Sequence, residues 1–184
     1  MLIEDTISVE TEVQTAPALL DRAASLWPDR PALHCHSSGL KLTYRELREA
    51  AISLGERLVG AGITKGVAVA VTSEVTGELV ILEHAVFRTG AVLAPLNLQF
   101  TPSETARYIE TLKREFDVVG VSSRLFMDKF SQADITRKYL LDGAATDGWQ
   151  SIRALSERAP LPERILPGDP SYAIATSGST SFPK

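Results

Sequence analysis

Strand-length apolar segments alternate along this chain with helix-length segments, and this alternation limits the possible folds more than any other feature. Residues 67–71 read Val-Ala-Val-Ala-Val, which is typical of a strand buried on both faces of a parallel sheet. Residues 92–96 and 117–121 have a similar character, and helix-length segments at 78–89 and 102–113 separate these strands. We therefore expect an α/β fold in which a mostly parallel sheet is flanked by helices.

Two capping boxes indicate where helices begin. In such a box a threonine hydroxyl accepts a bond from the third amide of the helix, and a glutamate reaches back to the threonine amide. The two pairs are Thr43 with Glu46 and Thr101 with Glu104. After the first box, apolar residues recur at spacings of three and four, which predicts one buried helix stripe made of Tyr44, Leu47, Ala51, Leu54 and Leu58.

Composition divides the chain into four predicted regions. Residues 1–14 hold four acidic residues and no Lys or Arg, which predicts a solvated acidic tail. The alternation of helices and strands occupies residues 15–159 and predicts one α/β subdomain. Four of the ten prolines fall within residues 160–171, which we interpret as an extended connection. Residues 172–184 are predicted to form a last short strand and a loop.

Charge and cysteine content exclude several classes of protein. The 184 residues carry 19 Lys and Arg against 23 Asp and Glu, and the net charge of −4 argues against a nucleic-acid partner. Cys35 is the single cysteine, so an intrachain disulfide is impossible and a reducing, cytoplasmic location is expected. No apolar stretch reaches the length that a membrane-spanning helix requires.

The histidines supply one pair that could be considered as metal ligands. His34 and His36 flank Cys35 and would share one face of a strand, a spacing compatible with two ligands. Because no acidic or cysteine partner stands near them on that face, we interpret both as ordinary strand residues and expect no metal site.

The last nine residues have the composition of a phosphate-binding loop. Five of the first six bear hydroxyl groups, and the remaining one is Gly178, which can orient backbone amides toward an anion. Lys184 at the far end can supply a positive charge. The spacing fits neither a Walker A loop nor a dinucleotide-binding fingerprint. Composition alone leaves two interpretations open, a phosphate-binding loop and a flexible polar terminus.

Residues 176–184 resemble the phosphate-loop signature of the AMP-forming adenylate superfamily. That superfamily comprises acyl-CoA synthetases, luciferases and the adenylation domains of nonribosomal peptide synthetases. Its common form is Thr-Ser-Gly-Ser/Thr-Thr-Gly-x-Pro-Lys, and this chain departs from it only at Ser181. Residues 42–47 resemble the family's Leu-Thr-Tyr-x-Glu-Leu motif, and residues 90–97 resemble its Gly-Ala-x-x-x-Pro-Leu-Asn segment.

The resemblance implies the first part of the large N-terminal domain of an ATP-dependent, AMP-forming ligase. In that family a carboxylic acid attacks the α-phosphate of ATP, and the thiol of CoA or of a carrier-protein pantetheine then displaces AMP. Residues 101–104 are closer to acyl-CoA synthetases than to peptide synthetases. The resemblance implies that six residues of this chain bind the β- and γ-phosphates of ATP: Thr176, Ser177, Gly178, Ser179, Thr180 and Lys184.

The family's magnesium ligand, adenine-binding segment and catalytic lysine follow this loop, so we expect no catalytic or metal-binding residue in this chain. We therefore expect an N-terminal fragment that is inactive by itself and that self-associates through exposed apolar surface. Two alternatives stay open. The chain could be a truncated, non-catalytic relative that serves as a binding or assembly module, or it could be one half of a split adenylating enzyme.

Overall fold

The computed structural model describes residues 15–175, which form helices, strands and two short 3-10 helices. The α-helices are α1 (Ala16–Leu26), α2 (Tyr44–Gly60), α3 (Gly77–Thr89) and α4 (Pro102–Leu112). The strands are β1 (Pro31–His34), β2 (Lys41–Thr43), β3 (Val67–Thr72), β4 (Val92–Pro95), β5 (Asp117–Ser122), β6 (Lys138–Leu140) and β7 (Gln150–Ser151). The 3-10 helices span Arg124–Phe130 and Ile152–Ala154.

Five strands form one parallel sheet in the order β4-β3-β5-β6-β7. The chain passes from β3 outward to β4 through α3, and then returns through α4 to β5 on the other side of β3. Because parallel crossovers are right-handed, this reversal places α3 and α4 on opposite faces of the sheet. The predicted fold class, a mostly parallel sheet flanked by helices, is confirmed.

Alternate residues of the strands pack into two separate cores. In β3, Val67, Val69 and Val71 pack with side chains of α2 and α3, whereas Ala68 and Ala70 pack with those of α4. Successive side chains of a strand point to opposite faces, so this division follows directly from the pleat. The uniformly apolar sequence of β3 is therefore explained by burial on both faces.

Both predicted capping boxes are present. Thr43 Oγ1 accepts a bond from the Glu46 amide at 3.3 Å, and Glu46 Oε2 accepts one from the Thr43 amide at 2.8 Å. Thr101 and Glu104 exchange the same two bonds at 3.3 and 2.7 Å. The backbone bonds from the threonine amides hold the pKa of both glutamates below its ordinary value. Each cap stabilises its helix by about 1 kcal/mol.

A charged cluster joins the three helices that cover the first face. Arg88 on α3 donates to both carboxylate oxygens of Asp21 on α1, with N–O distances of 2.6 and 3.3 Å. Arg48 on α2 donates to the same carboxylate at 2.7 Å. The Arg88 side chain is only 7% exposed, so its charge depends on Asp21 for compensation. The cluster therefore fixes α1 against α2 and α3.

The structure differs from the sequence-based prediction in the region after β5. Arg124–Phe130 forms a 3-10 helix that was not predicted, and its Phe130 is buried against the α4 face of the sheet. The helix predicted near residues 152–157 is a single 3-10 turn, Ile152–Ala154, and the short strand β7 precedes it. Elements of this length have too few residues to show a clear hydrophobic period, so tertiary packing decides them.

Candidate functional site

The phosphate-binding residues predicted from the sequence follow Ala175 and lie outside the described part of the chain. They are Thr176, Ser177, Gly178, Ser179, Thr180 and Lys184. The five residues that lead into them, 171–175, are described and form the edge segment of the sheet. The position and direction of the edge segment therefore define where the chain enters the predicted loop.

The edge segment runs parallel to β4 at the outer edge of the sheet. The Leu93 amide donates to the Ser171 carbonyl, and the Ala173 amide donates to the Leu93 carbonyl, both at 2.9 Å. The sequence predicted a strand over residues 172–175, but the structure has an isolated bridge between Leu93 and Tyr172. Because the pairing is parallel, the edge segment points toward the carboxyl ends of the strands.

Two tyrosines hold the edge segment, one from each face of the sheet. On the α3 face, the Tyr172 hydroxyl donates to the Glu83 carboxylate, and its ring packs edge-on against Phe87 with centroids 5.1 Å apart. Burial and the adjacent Glu83 carboxylate raise the pKa of Tyr172. On the α4 face, the Tyr108 hydroxyl donates to the Ala173 carbonyl at 3.1 Å. The segment is thus anchored by side chains in addition to its short backbone pairing.

The edge segment ends at the edge of the sheet where ligands usually bind. In open α/β sheets, ligands occupy the crevice outside the carboxyl ends of the strands, where the strand order reverses. Here the reversal lies between β3 and β5, and the edge segment is two strand positions away from β3. At a strand spacing of about 4.8 Å, the edge segment lies roughly 10 Å from β3, which borders this crevice.

A buried network of hydroxyl groups lies at the reversal point, and the sequence analysis missed it. Thr72 Oγ1 and Ser122 Oγ, from the last residues of β3 and β5, are 2.9 Å apart. Ser122 donates to the Ser123 carbonyl at 2.8 Å, so Thr72 is the donor in the first contact. Ser123 in turn donates to the Glu74 carboxylate at 2.6 Å. The sequence signal that could have indicated this network is a hydroxyl residue directly after each of two apolar strands, residues 67–71 and 117–121.

Two polar side chains at this edge bear on the binding of an anionic ligand. The exposed Glu74 carboxylate stands at the ends of β3 and β5 and would repel a phosphate placed there. Asn97, which follows β4, is exposed and uses its side-chain oxygen to accept from the Gln99 amide at 2.9 Å. Its side-chain NH2 group is therefore the part that can donate to a ligand beside the edge segment.

Residues 15–175 contain no group of three or more His, Cys, Asp and Glu side chains that could share a metal ion. The rings of His34 and His36 lie with their centroids 6.3 Å apart, and no third ligand joins them in this part of the chain. Over the same residues, no helix combines the length and the apolar character needed to cross a membrane.

A family model described as AMP-binding enzyme matches residues 20–184. The matched range covers every described strand, the edge segment and the nine residues that follow Ala175. The match therefore includes both the scaffold and the loop that the sequence analysis singled out.

Relatives of two kinds align with almost the whole chain. Phosphinothricin tripeptide synthetase PhsC from Streptomyces viridochromogenes is 33% identical over 171 residues, which are 93% of this chain and 15% of the synthetase. The 3-[(3aS,4S,7aS)-7a-methyl-1,5-dioxo-octahydro-1H-inden-4-yl]propanoyl:CoA ligase from Mycobacterium tuberculosis is 28% identical over 187 residues, which cover 94% of this chain and 36% of the ligase. The chain thus spans well under two thirds of the length of either relative.

Solved structures with the same fold include one complex with an AMSN compound and one with an acyl-adenylate. The N-terminal subdomain of NpsA from Klebsiella oxytoca, bound to 3-hydroxyanthranilyl-AMSN, has a TM-score of 0.66 at 26% identity and covers 94% of this chain and 40% of its own. The o-succinylbenzoate CoA synthetase MenE from Bacillus subtilis, bound to OSB-AMP, has a TM-score of 0.70 at 22% identity. That likeness covers 93% of this chain and 41% of MenE.

Proposed function

Because the chain belongs to the AMP-binding enzyme family, we propose that it is the phosphate-loop part of an ATP-dependent, AMP-forming ligase that activates a carboxylic acid. One observation carries the proposal. The edge segment ends at the carboxyl edge of the parallel sheet, and residues 176–184, which follow it in the sequence, match the family's phosphate-loop signature. Hydroxyl and amide donors of the kind that this sequence supplies match the chemistry of a polyphosphate.

The proposed first step is displacement at the α-phosphorus of ATP. A carboxylate oxygen of the substrate attacks that phosphorus, the new oxygen–phosphorus bond forms, and the bond to the bridging oxygen of the β-phosphate breaks. The products are an acyl-adenylate and pyrophosphate. The step requires no proton transfer from the carboxylate, so the loop contributes by positioning ATP and by stabilising charge on the departing pyrophosphate.

Six residues are proposed to hold the β- and γ-phosphates through their side chains or backbone amides: Thr176, Ser177, Gly178, Ser179, Thr180 and Lys184. The hydroxyl and amide groups donate hydrogen bonds, and the lysine adds a charge-assisted contact. The exposed Asn97, beside the end of the edge segment, is a further donor within this region. No residue among 15–175 is assigned to Mg2+, which would accompany ATP, because no ligand cluster is present there.

The second substrate is proposed to be a thiol, either CoA or the pantetheine of a carrier protein. Relatives of both kinds support this pair of choices, since one is a tripeptide synthetase and another is a CoA ligase. Residues 101–104 favour the CoA branch. We place the protein in the cytoplasm, because its single cysteine suits a reducing compartment.

We also propose that the chain by itself is inactive and self-associates. Large apolar side chains are exposed at or near the carboxyl edge, among them Val75 after β3, Leu125 after β5 and Ile174 in the edge segment. Exposed apolar surface of this kind marks contact regions. Sedimentation velocity over a range of concentrations distinguishes self-association from a stable monomer.

The proposed function is tested with the protein expressed from the complete open reading frame that encodes this chain. We expect incorporation of labelled pyrophosphate into ATP that depends on a carboxylic acid, measured with a panel of fatty, aromatic and amino acids. The reverse of the first step makes this exchange independent of the thiol. A folded protein that gives no exchange with any acid, and that binds no ATP by calorimetry, contradicts the ligase assignment and favours a non-catalytic module.

A further inference from the structure

The pairing between β4 and the edge segment stops at Pro95. In a parallel ladder, the amide of every second residue donates to the neighbouring strand. The Leu93 amide donates to the Ser171 carbonyl, so the next donor in register is the amide of residue 95 and its acceptor is the Ala173 carbonyl. Residue 95 is proline and has no N–H group. The Ala173 carbonyl therefore lacks the backbone N–H donor that residue 95 would otherwise provide in this register.

The hydroxyl of Tyr108 supplies a donor in place of the missing amide. It donates to the Ala173 carbonyl at 3.1 Å from the α4 side of the sheet. Tyr108 is 3% exposed and packs in the core between α4 and the sheet, edge-on to Phe100 with ring centroids 6.4 Å apart. A tyrosine whose rotamer is fixed by such packing presents its hydroxyl at a defined point.

The interruption affects only the outer side of β4. On the inner side, the Leu96 amide still donates to the Val71 carbonyl at 2.9 Å, so β4 stays bonded to β3 beyond the proline. On the outer side, one side-chain bond replaces the ladder three residues before Thr176. The edge segment is therefore released from the sheet at a defined position, immediately before the predicted phosphate loop.

We propose that Tyr108 is a positioning residue for the phosphate loop. By donating to Ala173 where Pro95 cannot, it fixes the direction in which the chain leaves the sheet, while Pro95 prevents the ladder from continuing into the loop. This inference rests on the proposed function, because it gives the loop at 176–184 its role in ATP binding. A purely structural tyrosine would fill the same space without needing its hydroxyl, and that difference can be measured.

The test uses Tyr108→Phe, Pro95→Ala and the double variant in the protein expressed from the complete open reading frame. Tyr108→Phe should raise KM for ATP roughly fivefold, because the loss of one neutral hydrogen bond corresponds to about this factor. The same variant should leave KM for the carboxylic acid within twofold of the parent value. Adding Pro95→Ala supplies a backbone amide to Ala173, so the double variant should return to within twofold of the parent protein. Tyr139→Phe, the same change at another buried tyrosine, is the control.

Amide hydrogen exchange in peptides covering residues 171–175 provides a second readout that does not depend on catalysis. Tyr108→Phe should speed this exchange roughly fivefold, and Pro95→Ala should reverse the effect. If the parent protein shows no pyrophosphate exchange, the proposed function fails while amide exchange still tests the positioning role. The inference is overturned if Tyr108→Phe changes neither readout, if Tyr139→Phe changes them equally, or if the double variant shows no recovery.

Discussion

Replacing Lys184 with alanine, in the protein expressed from the complete open reading frame, should lower kcat/KM for ATP in the pyrophosphate exchange assay by roughly 10- to 150-fold. This range corresponds to about 1.5–3 kcal/mol, the usual contribution of a hydrogen bond to a charged group. We expect an effect on kcat as well as on KM, because negative charge on pyrophosphate grows as the bond to the α-phosphate breaks.

Two further variants make the Lys184 experiment specific. Lys184→Arg keeps the positive charge but changes its geometry, so it should lose less activity than Lys184→Ala. Lys41→Ala removes an exposed lysine from the β1–β2 hairpin, away from the parallel sheet, and should leave kcat/KM within twofold. If Lys184→Ala behaves like Lys41→Ala, the lysine has no role in phosphate binding and the assignment of residues 176–184 is wrong.

Replacing Asp21 with asparagine should lower the free energy of unfolding by about 3 kcal/mol at pH 7. The substitution leaves the buried Arg88 guanidinium without a counter-charge, which costs about 3–5 kcal/mol in fully buried pairs. We expect the lower end of that range because the Asp21 side chain is 40% exposed. Asp29→Asn is the matched control, since its pair with Arg45 is exposed and contributes less than about 1 kcal/mol.

The Asp21 effect should depend on pH in a defined direction. Partial burial by itself raises the pKa of Asp21, but the bonds from Arg88 and Arg48 hold it below its ordinary value of 3.8. Because this pKa is lower in the folded than in the unfolded protein, the ionised Asp21 carboxylate stabilises the fold at pH values above 3.8. This stabilisation disappears as the pH falls through the lower pKa of the folded protein. Urea unfolding should therefore show a large difference between the parent protein and Asp21→Asn at pH 7 and a smaller one at pH 3. An equal difference at both pH values contradicts this account.

The fold class could be predicted because two independent signals agreed. The apolar strand at β3 requires burial on both faces, and the boxes at Thr43 and Thr101 fix where two helices begin. Each of these signals is local, since it depends on residues within one turn or one strand. Elements decided by such short-range physics are the ones that the sequence reveals.

The arrangement that holds the edge segment could not be predicted, because it depends on distant residues. Tyr108 and Ala173 are 65 positions apart in the sequence. The hydrogen bond between them depends on the register in which the edge segment pairs with Leu93. Similarly, Thr72 and Ser122 meet only because β3 and β5 are neighbours in the sheet. Nothing in the local pattern around any of these residues distinguishes a hydroxyl that bonds across the sheet from one that faces solvent.

The most direct test of the central claim is amide hydrogen exchange in residues 176–184, measured on the protein expressed from the complete open reading frame with and without a saturating nonhydrolysable ATP analogue. Binding of the polyphosphate by this loop predicts exchange at least about tenfold slower in peptides from this region. Residues 95–98, beside the end of the edge segment, should also be protected. Saturating nucleotide that leaves the exchange of residues 176–184 unchanged, while protecting another part of the protein, would contradict the claim that this loop binds ATP.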